Sequence, residues 1–490
     1  MSSAVSAPAP AAPTKLEREH VILIGVLLVA SFVVILNETV MSVAIPVLQE
    51  DLGIEPSVGQ WLTTAFLLTM GVIIPLTGFL IERIPTRQLF ILAMSLFTAG
   101  TILAFFAPGF GVLLTARVIQ ASGTAIMMPL LMTTILTIVP PERRGVMMGN
   151  ITIVISVAPA LGPTVSGLIL DHFGWRWIFG LVAPIAVLAL VLGAKYVVEV
   201  GERSRTRVDL LSVPLAVVGF GGVVYGLSSI GKSAGGSGVP LWVPFVAGGL
   251  ALVTFLIRQV ALQREDRALL DLRVFGSRQF TLAMLALAVG FGMLMGTLIL
   301  VPYFAQQVLG YGAAETGLVT LPGGILMGLA GPVVGRLYDA YGPRPITLPG
   351  TLLVSGGIWM LVMVDTDTPA WWLVVSNIGI SVGLAATFTP VMTAGLGSVP
   401  ARLYSHGSAT LGTFQQVAGA AGTAILVSLM TVVARGSSGG VADPDGIVDG
   451  VRAAFTVAGF LSFALIAVCL FVRRPAQEQA TEAEPVAEQV

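Results

Sequence analysis

Long runs of apolar residues, separated by short polar breaks, repeat along almost the whole chain. An α-helix needs roughly 20 apolar residues to cross the hydrocarbon core of a bilayer, and most of the runs reach that length. The pattern therefore predicts an all-α membrane protein with fourteen transmembrane helices. The predicted spans are 20–46, 58–82, 89–107, 109–139, 145–170, 177–198, 211–231, 241–262, 280–309, 314–338, 346–364, 371–399, 407–434 and 451–472.

The composition changes this picture little. Of the 490 residues, 55% are hydrophobic and 10% are charged, whereas a soluble domain carries about 25% charged residues. The chain also has 57 glycines and 29 prolines. Small residues let packed membrane helices approach closely, so this usage suits a polytopic membrane protein.

Several classes of function are not expected. Cys469 is the single cysteine, so the sequence favours neither a disulfide framework nor a paired-thiol metal site. His20, His172 and His406 are scattered along the chain, which argues against a metal centre. The chain has no phosphate-binding loop motif, so ATP-driven transport is not expected. No arrangement of nucleophile and base indicates an enzyme, and nothing indicates a nucleic-acid partner or a cofactor.

The basic residues predict the orientation. If the N-terminus lies inside, most of the arginines and lysines fall in the inner breaks, as positive-inside topology requires. Both termini are therefore expected to be cytoplasmic in a bacterial inner membrane. The outer breaks hold only Arg176, Lys232, Arg435 and Arg452.

An internal repeat predicts the domain organisation. Residues 78–87 (GFLIERIPTR) and 335–344 (GRLYDAYGPR) both have Gly at position 1, an acid at position 5 and Arg at position 10. This repeat predicts two halves of six helices, residues 20–198 and 280–473, as in transporters built from parallel halves. The linker, residues 199–279, then carries the two extra helices.

The two ends of the chain are expected to be disordered cytoplasmic segments. Residues 1–19 combine Ala, Pro and Ser with a charged stretch, and residues 474–490 form an acidic tail. Such segments are too polar to bury a core of their own.

One acid lies within the first apolar span. Asn37, Glu38 and Thr39 interrupt the run at 20–46. An ionised carboxylate at that depth costs about 2.5–3.5 kcal/mol, even on lenient insertion scales. Glu38 is therefore a candidate proton carrier of a secondary transporter. A structural polar contact between helices is the alternative.

Three segments carry a family resemblance: LNETVMSVAIP at 36–46, QWLTTAFLL at 60–68 and IPLTGFLIER at 74–83. They resemble the fourteen-helix drug:proton antiporter family of the major facilitator superfamily, and look closest to its lincomycin-resistance-type branch. The family usually has Asp at the position of Asn37, and here the acid follows one residue later. That displacement turns the carboxylate by about 100° around the helix.

The resemblance extends to the repeated motif, which in the superfamily lies on the inner face and controls the conformational change. Its residues are expected to form a gate in which glycines permit close packing and acids accept hydrogen bonds from a neighbouring helix N-terminus. A plain positive-inside anchor is the alternative. The expected gate residues are Gly78, Glu82, Arg83, Arg87, Gly335, Asp339 and Arg344.

A second motif places a charge inside a span. RVIQASGTAIMMP, residues 117–129, resembles the family's fourth-helix motif and puts Arg117 and Gln120 one turn apart on the same face. Arg stays charged at any accessible pH, so Arg117 could favour the ionised form of Glu38 when it is close. Proton coupling is thus expected to involve Glu38, Arg117 and Asn37. Snorkelling of Arg117 to the outer surface is the alternative.

A third motif concerns the direction of transport. APALGPTVSGLIL, residues 158–170, resembles the family's antiporter motif. Two prolines remove backbone donors and kink the helix, and glycines give it a thin face. The motif residues are Pro159, Gly162, Pro163 and Gly167.

Amide side chains are the candidates for the substrate cavity. Gln120, Asn377, Gln415 and Gln416 could face a cavity and hydrogen-bond cargo, although helix packing would explain them equally well. The resemblance then implies a monomeric, proton-coupled multidrug efflux antiporter that exports small amphipathic compounds across the lipid bilayer by alternating access. Export of lipids or endogenous metabolites is one alternative, and a non-transporting receptor or scaffold is another.

Overall fold

The protein forms a bundle of long helices in a computed structural model. The structure describes residues 18–54, 56–59, 61–200, 209, 211–229, 240, 242–265, 267–436 and 443–474. Across these residues the long helices are α1 (Arg18–Leu52), α2 (Trp61–Arg83), α3 (Thr86–Phe105), α4 (Phe110–Ile138), α5 (Arg144–Phe173), α6 (Arg176–Tyr196), α7 (Ser212–Ser229), α8 (Trp242–Leu262), α9 (Arg278–Gln307), α10 (Ala313–Tyr341), α11 (Arg344–Val362), α12 (Ala370–Gly397), α13 (Tyr404–Gly436) and α14 (Pro444–Cys469).

The helix count agrees closely with the apolar pattern. Thirteen of the described helices are long and apolar enough to cross a membrane by length and composition. The remaining one, α7, has a shorter apolar stretch, Ser212–Leu227. The all-α membrane fold is therefore confirmed, and fourteen complete crossings stay a prediction. The expected disorder of the two termini concerns residues that lie almost entirely outside the described part of the chain.

Two helix boundaries differ from the predicted spans by more than three residues. Helix α1 continues past Pro46 to Leu52, because a proline is tolerated in a membrane helix whose neighbours satisfy the backbone. Helix α14 begins at Pro444, seven residues before the predicted start at 451. A proline at the first helical position has the right φ angle and lacks only an N–H that would have no partner there.

The first six helices pack mainly on one another, and so do the last six. Contacts between the two groups run chiefly through two helix pairs, α5 with α10 and α2 with α13. Glycines face each other across the first pair, Gly145 with Gly335 and Gly149 with Gly331. Helices α7 and α8 form a separate pair, in which α7 packs against α2 and α13. We retain the two six-helix halves as a proposed division.

Candidate functional site

A buried polar network joins three helices around Arg117. The Arg117 side chain, 1% exposed, donates from Nη1 to Asn37 Oδ1 at 3.1 Å and to Gln120 Oε1 at 2.7 Å. Gln120 Nε2 in turn donates to Thr101 Oγ1 at 2.8 Å. The Arg117 guanidinium also lies over the Phe66 ring, 4.0 Å from its centroid. Arg117 is thus held in the bundle interior, so its side chain does not snorkel to the surface.

Glu38, the neighbour of Asn37, points in a different direction. Its side chain lines a cavity, and among the described residues it makes no hydrogen bond or ion pair with Arg117. Charge attraction still acts between the two groups at longer range. Because consecutive residues of a helix are rotated by about 100°, the side chains of Asn37 and Glu38 face different neighbours. Asn37 contacts the buried cation, and Glu38 presents its carboxylate to the cavity.

The cavity has a volume of about 760 Å³ and lies between the two groups of six helices. It is lined by α1, α2, α4 and α5 from the first group and by α9 and α13 from the second. Its walls are mostly apolar, with Met70, Met128 and Phe291 among them. Among the described residues that line it, Glu38 is the one ionisable side chain.

The structure brings two of the four predicted cavity residues to this space. Gln415 and Gln416 of α13 line it. Gln120 does not, because its amide is taken up by Arg117 and Thr101. Asn377 does not either: it is 8% exposed and packs against Gly323 of α10, within the second group of helices.

The antiporter-motif helix α5 packs directly on the polar part of α1. Gly162 lies against Thr39, and a Cβ at Gly162 would overlap the Thr39 hydroxyl. One turn further, Ser166 Oγ donates to the carbonyl oxygen of Val40 at 3.0 Å. Pro159 lines the cavity. The predicted thin face therefore holds α5 against the residues that flank Glu38.

The other two motif residues are less informative. A Cβ at Gly167 would meet open space, so the structure gives this glycine no packing role. Pro163 lies within α5.

At the opposite end of the bundle, Asp339 joins the two groups of helices. Its carboxylate accepts hydrogen bonds from the backbone N–H groups of Gly145, at 2.8 Å, and Val146, at 3.1 Å. These residues form the first turn of α5, where N–H groups have no partner within the helix. A Cβ at Gly335 would overlap the Gly145 carbonyl oxygen, so the glycine is needed for this approach.

Glu82 makes the corresponding contact in the other copy of the motif. Its Oε1 accepts from Ser405 Oγ at 2.7 Å and lies 3.0 Å from His406 Nε2, both in the first turn of α13. Gly78, one turn before Glu82, allows this approach: a Cβ there would lie 3.1 Å from the Ser405 carbonyl oxygen. Both motif acids thus link one group of helices to the other at the predicted cytoplasmic end.

The motif arginines lie near this end of the bundle, where Arg83 and Glu82 attract each other electrostatically. Arg83 lies over the Phe79 ring at 4.2 Å. Arg87 is exposed, and Arg344 donates to the carbonyl oxygen of Leu470 at 3.2 Å. Arg144, which is not part of the repeated motif, lies at the same end of the bundle. It donates hydrogen bonds to the carbonyl oxygens of Leu136 and Val139 at the end of α4.

Sequence reasoning missed the partners of the two acids, although a signal was present. Both α5 and α13 follow a Val-Pro pair, at 139–140 and 399–400, and a one-turn 3₁₀ helix, Pro141–Arg143 or Ala401–Leu403. This second repeat marks the two helix starts on which the acids dock. Among the described residues no group of His, Cys, Asp or Glu has an arrangement that could hold a metal ion.

Comparison with known proteins identifies the family. The model of the Major Facilitator Superfamily matches residues 27–423. The chain is 40% identical to the Uncharacterized MFS-type transporter YcnB of Bacillus subtilis (strain 168), over 94% of this chain and 97% of that protein. It is 39% identical to the Lincomycin resistance protein LmrB of Listeria monocytogenes serovar 1/2a (strain ATCC BAA-679 / EGD-e), over 84% and 86% of the two chains.

Solved structures agree on the fold. The human organic anion transporter MFSD10 (TETRAN) superposes with a TM-score of 0.66 at 15% identity, covering 92% of this chain and all of that one. At that identity the likeness concerns the fold alone. Taken with the family match and the curated relatives, it shows that the chain belongs to the major facilitator superfamily of membrane transporters.

Proposed function

We propose that this transporter is a proton-coupled exporter of small amphipathic, drug-like compounds. The observation that carries the proposal is the position of Glu38, the one carboxylate among the described residues that line a mostly apolar cavity between the two groups of helices. Ionisable groups buried in a membrane protein are costly and usually mark ion or substrate pathways. The cavity volume falls within the range of about 300–1,000 Å³ that is typical of small-molecule sites.

The charges suggest how a proton and a cargo exchange. An ionised Glu38 compensates the nearby Arg117 and attracts a cationic amphiphile into the cavity. A proton that binds the Glu38 carboxylate removes this attraction, so cargo leaves more easily. Release of the proton on the opposite side restores the negative charge for the next cargo. In this scheme Glu38 carries the proton, while Asn37 and Arg117 hold the electrostatic environment in place.

The end of the bundle where Glu82 and Asp339 join the two groups of helices, the closed end, is the part that would open and close during alternating access. The Glu82 and Asp339 contacts join the two groups at the end opposite the cavity. If the basic residues orient the chain as expected, with both termini in the cytoplasm of a bacterial cell, this conformation is outward-open. Breaking both contacts and closing the cavity side would produce the inward-open state.

The names of the relatives guide the choice of cargo. A lincomycin resistance protein shares 39% of its aligned residues with this chain, so a lincosamide is the first compound to test, beside a lipophilic cationic dye. Glu38 favours compounds that carry a positive charge, and the Met and Phe side chains of the cavity can adapt to varied apolar bodies.

Reconstitution of the purified protein in liposomes tests the proposal. We expect an imposed proton gradient to drive uptake of the lincosamide or the dye in vesicles that contain the protein, and an uncoupler to abolish it. Uptake of neither compound, together with movement of fluorescent lipids, would favour a lipid exporter. A receptor or scaffold would move nothing under any gradient.

A further inference from the structure

The inserted helix α7 contributes to the cavity wall. Val224 and Leu227 line the cavity together with residues of both six-helix groups. Val224 is 1% exposed, so it lies in the interior of the bundle. A helix added only at the lipid-facing surface would not place side chains there.

Helix α7 is seated closely on α2 along the cavity. A Cβ at Gly71 of α2 would lie 3.3 Å from Val224 Cγ2, and one at Gly221 of α7 would lie 3.5 Å from Val72 Cγ2. Near the outer end, the rings of Trp61 and Tyr225 stack with centroids 5.9 Å apart. This fit fixes which face of α7 is turned toward the cavity.

Helix α7 also bridges the two groups of helices. Phe220 packs in one apolar cluster with Phe79 of α2 and Ala409 of α13. Because α2 and α13 belong to different groups, the crevice between them faces the lipid wherever no other helix covers it. Helix α7 contacts both helices and therefore covers this crevice.

The inner end of α7 is tied down by a polar clamp. Asp209 accepts two hydrogen bonds from Arg258 of α8, from Nε and Nη2, each at 2.7 Å, and also bonds Ser212. Hydrogen bonds from the Arg258 guanidinium hold the pKa of the Asp209 carboxyl well below its usual range. Gln259 links Ser212 Oγ, at 2.8 Å, to the backbone N–H of Leu269, at 2.7 Å.

We propose that α7 is the lateral wall of the transport cavity, and that Val224 and Leu227 set the size of the apolar body that a cargo can have. This inference rests on the proposed function and deepens it. In a tight apolar pocket one methylene changes discrimination by about 10–200-fold, so two wall residues suffice to select cargo. The hydrogen bonds of Asp209 and Gln259 fix the position of α7 relative to α8 and to the linker after α8.

Cysteine labelling tests the wall without requiring transport. Leu227→Cys in a Cys469→Ala background is reacted with a membrane-impermeant, charged thiol reagent in reconstituted protein. Val246→Cys is the matched control, since Val246 lies near the outer end of α8 and is 50% exposed on the apolar surface. We expect Leu227→Cys to react at least tenfold faster than Val246→Cys. Equal rates would place Leu227 against lipid and overturn the proposal.

Transport selectivity tests the role in cargo choice. Leu227→Phe narrows the cavity, so we expect uptake of a bulky lincosamide to fall about tenfold relative to uptake of a smaller lipophilic cation. Val246→Phe should leave the ratio unchanged. An unchanged ratio in Leu227→Phe, with wild-type protein active, would overturn the role in selectivity while leaving the exporter intact. If wild-type protein carries no cargo, the proposed function fails, and the labelling rates still decide whether α7 is a wall.

Discussion

The guanidinium of Arg117 bonds the amide oxygen of Asn37, at 3.1 Å, and not the adjacent carboxylate of Glu38. The buried cation is therefore held by a neutral group, while the acid stays free to face the cavity. A carboxylate at position 37 would form a fixed ion pair with Arg117. In the proposed mechanism, the order Asn-Glu thus separates the anchoring of the cation from the binding of a proton.

Loss of the Asn37 amide should destabilise the protein. In Asn37→Ala, Arg117 loses an acceptor in a buried setting, which costs about 1–3 kcal/mol. Thermal unfolding of the purified protein in detergent is the measurement, and a lower Tm is expected. Asn150→Ala is the control, because within the described part of the chain the Asn150 side chain makes one weak contact, with Met147 Sδ at 3.8 Å. Equal Tm values for the two variants would contradict a stabilising role for the network.

Glu82 should hold the closed end together. Glu82→Ala removes the acceptor for Ser405 and the partner of His406, at a cost of about 1–2 kcal/mol, so the population with this end open should rise about tenfold. The measurement is pulsed electron paramagnetic resonance between spin labels at the exposed positions Gln88 and Arg402. Arg87→Ala, at the same end, should leave the distances unchanged. Unaltered distances in Glu82→Ala would show that the contact of Glu82 with Ser405 and His406 does not keep the two groups of helices together at this end.

A methyl group at Gly335 should have a similar effect by a steric route. Gly335→Ala overlaps the Gly145 backbone of the opposing group, and overpacking of this kind costs about 1–3 kcal/mol. The same distance measurement should show separation, together with slower transport. Gly356→Ala is the matched control because its Cβ would meet open space. Alanine there should be neutral or slightly stabilising, since glycine is unfavourable within a helix.

The Asp209–Arg258 clamp gives a pH dependence of stability. The folded-state pKa of Asp209 is depressed, so its contribution is complete above the unfolded value of about 3.9 and is lost as the pH falls below it. Asp209→Asn should therefore lower Tm by a constant amount between about pH 5 and 8, and the difference should shrink below about pH 4. Asp445→Asn, at an exposed position, should have no effect. A difference that changes between pH 5 and 8 would point to another titrating group.

The apolar spans and the Gly78 and Gly335 repeats predict much of the fold because the bilayer imposes one helix length and the halves share a motif. The type of contact was predictable for one of the two motif acids, since the first N–H groups of a helix have no partner within it and bind a nearby carboxylate. Asp339 makes these bonds. Glu82 instead contacts the side chains of Ser405 and His406. His406 gave no sign of this contact in the sequence, where the three histidines are far apart.

Cavity residues were harder to predict. Gln120 and Gln415 have the same chemistry, and only the three-dimensional packing decides that one bonds Arg117 while the other lines the cavity. Val224 and Leu227 carried no signal at all, because an apolar side chain on a membrane helix faces lipid, a neighbouring helix or a cavity with equal ease.

Transport by Glu38→Gln is the measurement that tests the central claim most directly. Wild type and the variant are reconstituted at equal density, and each is assayed for cargo exchange without a gradient and for accumulation driven by a proton gradient. Glu315→Gln, at an exposed helix start, is the control and should behave as wild type. We predict that Glu38→Gln retains exchange and loses gradient-driven accumulation. Accumulation at the wild-type level would show that another group carries the proton and would contradict the role assigned to Glu38.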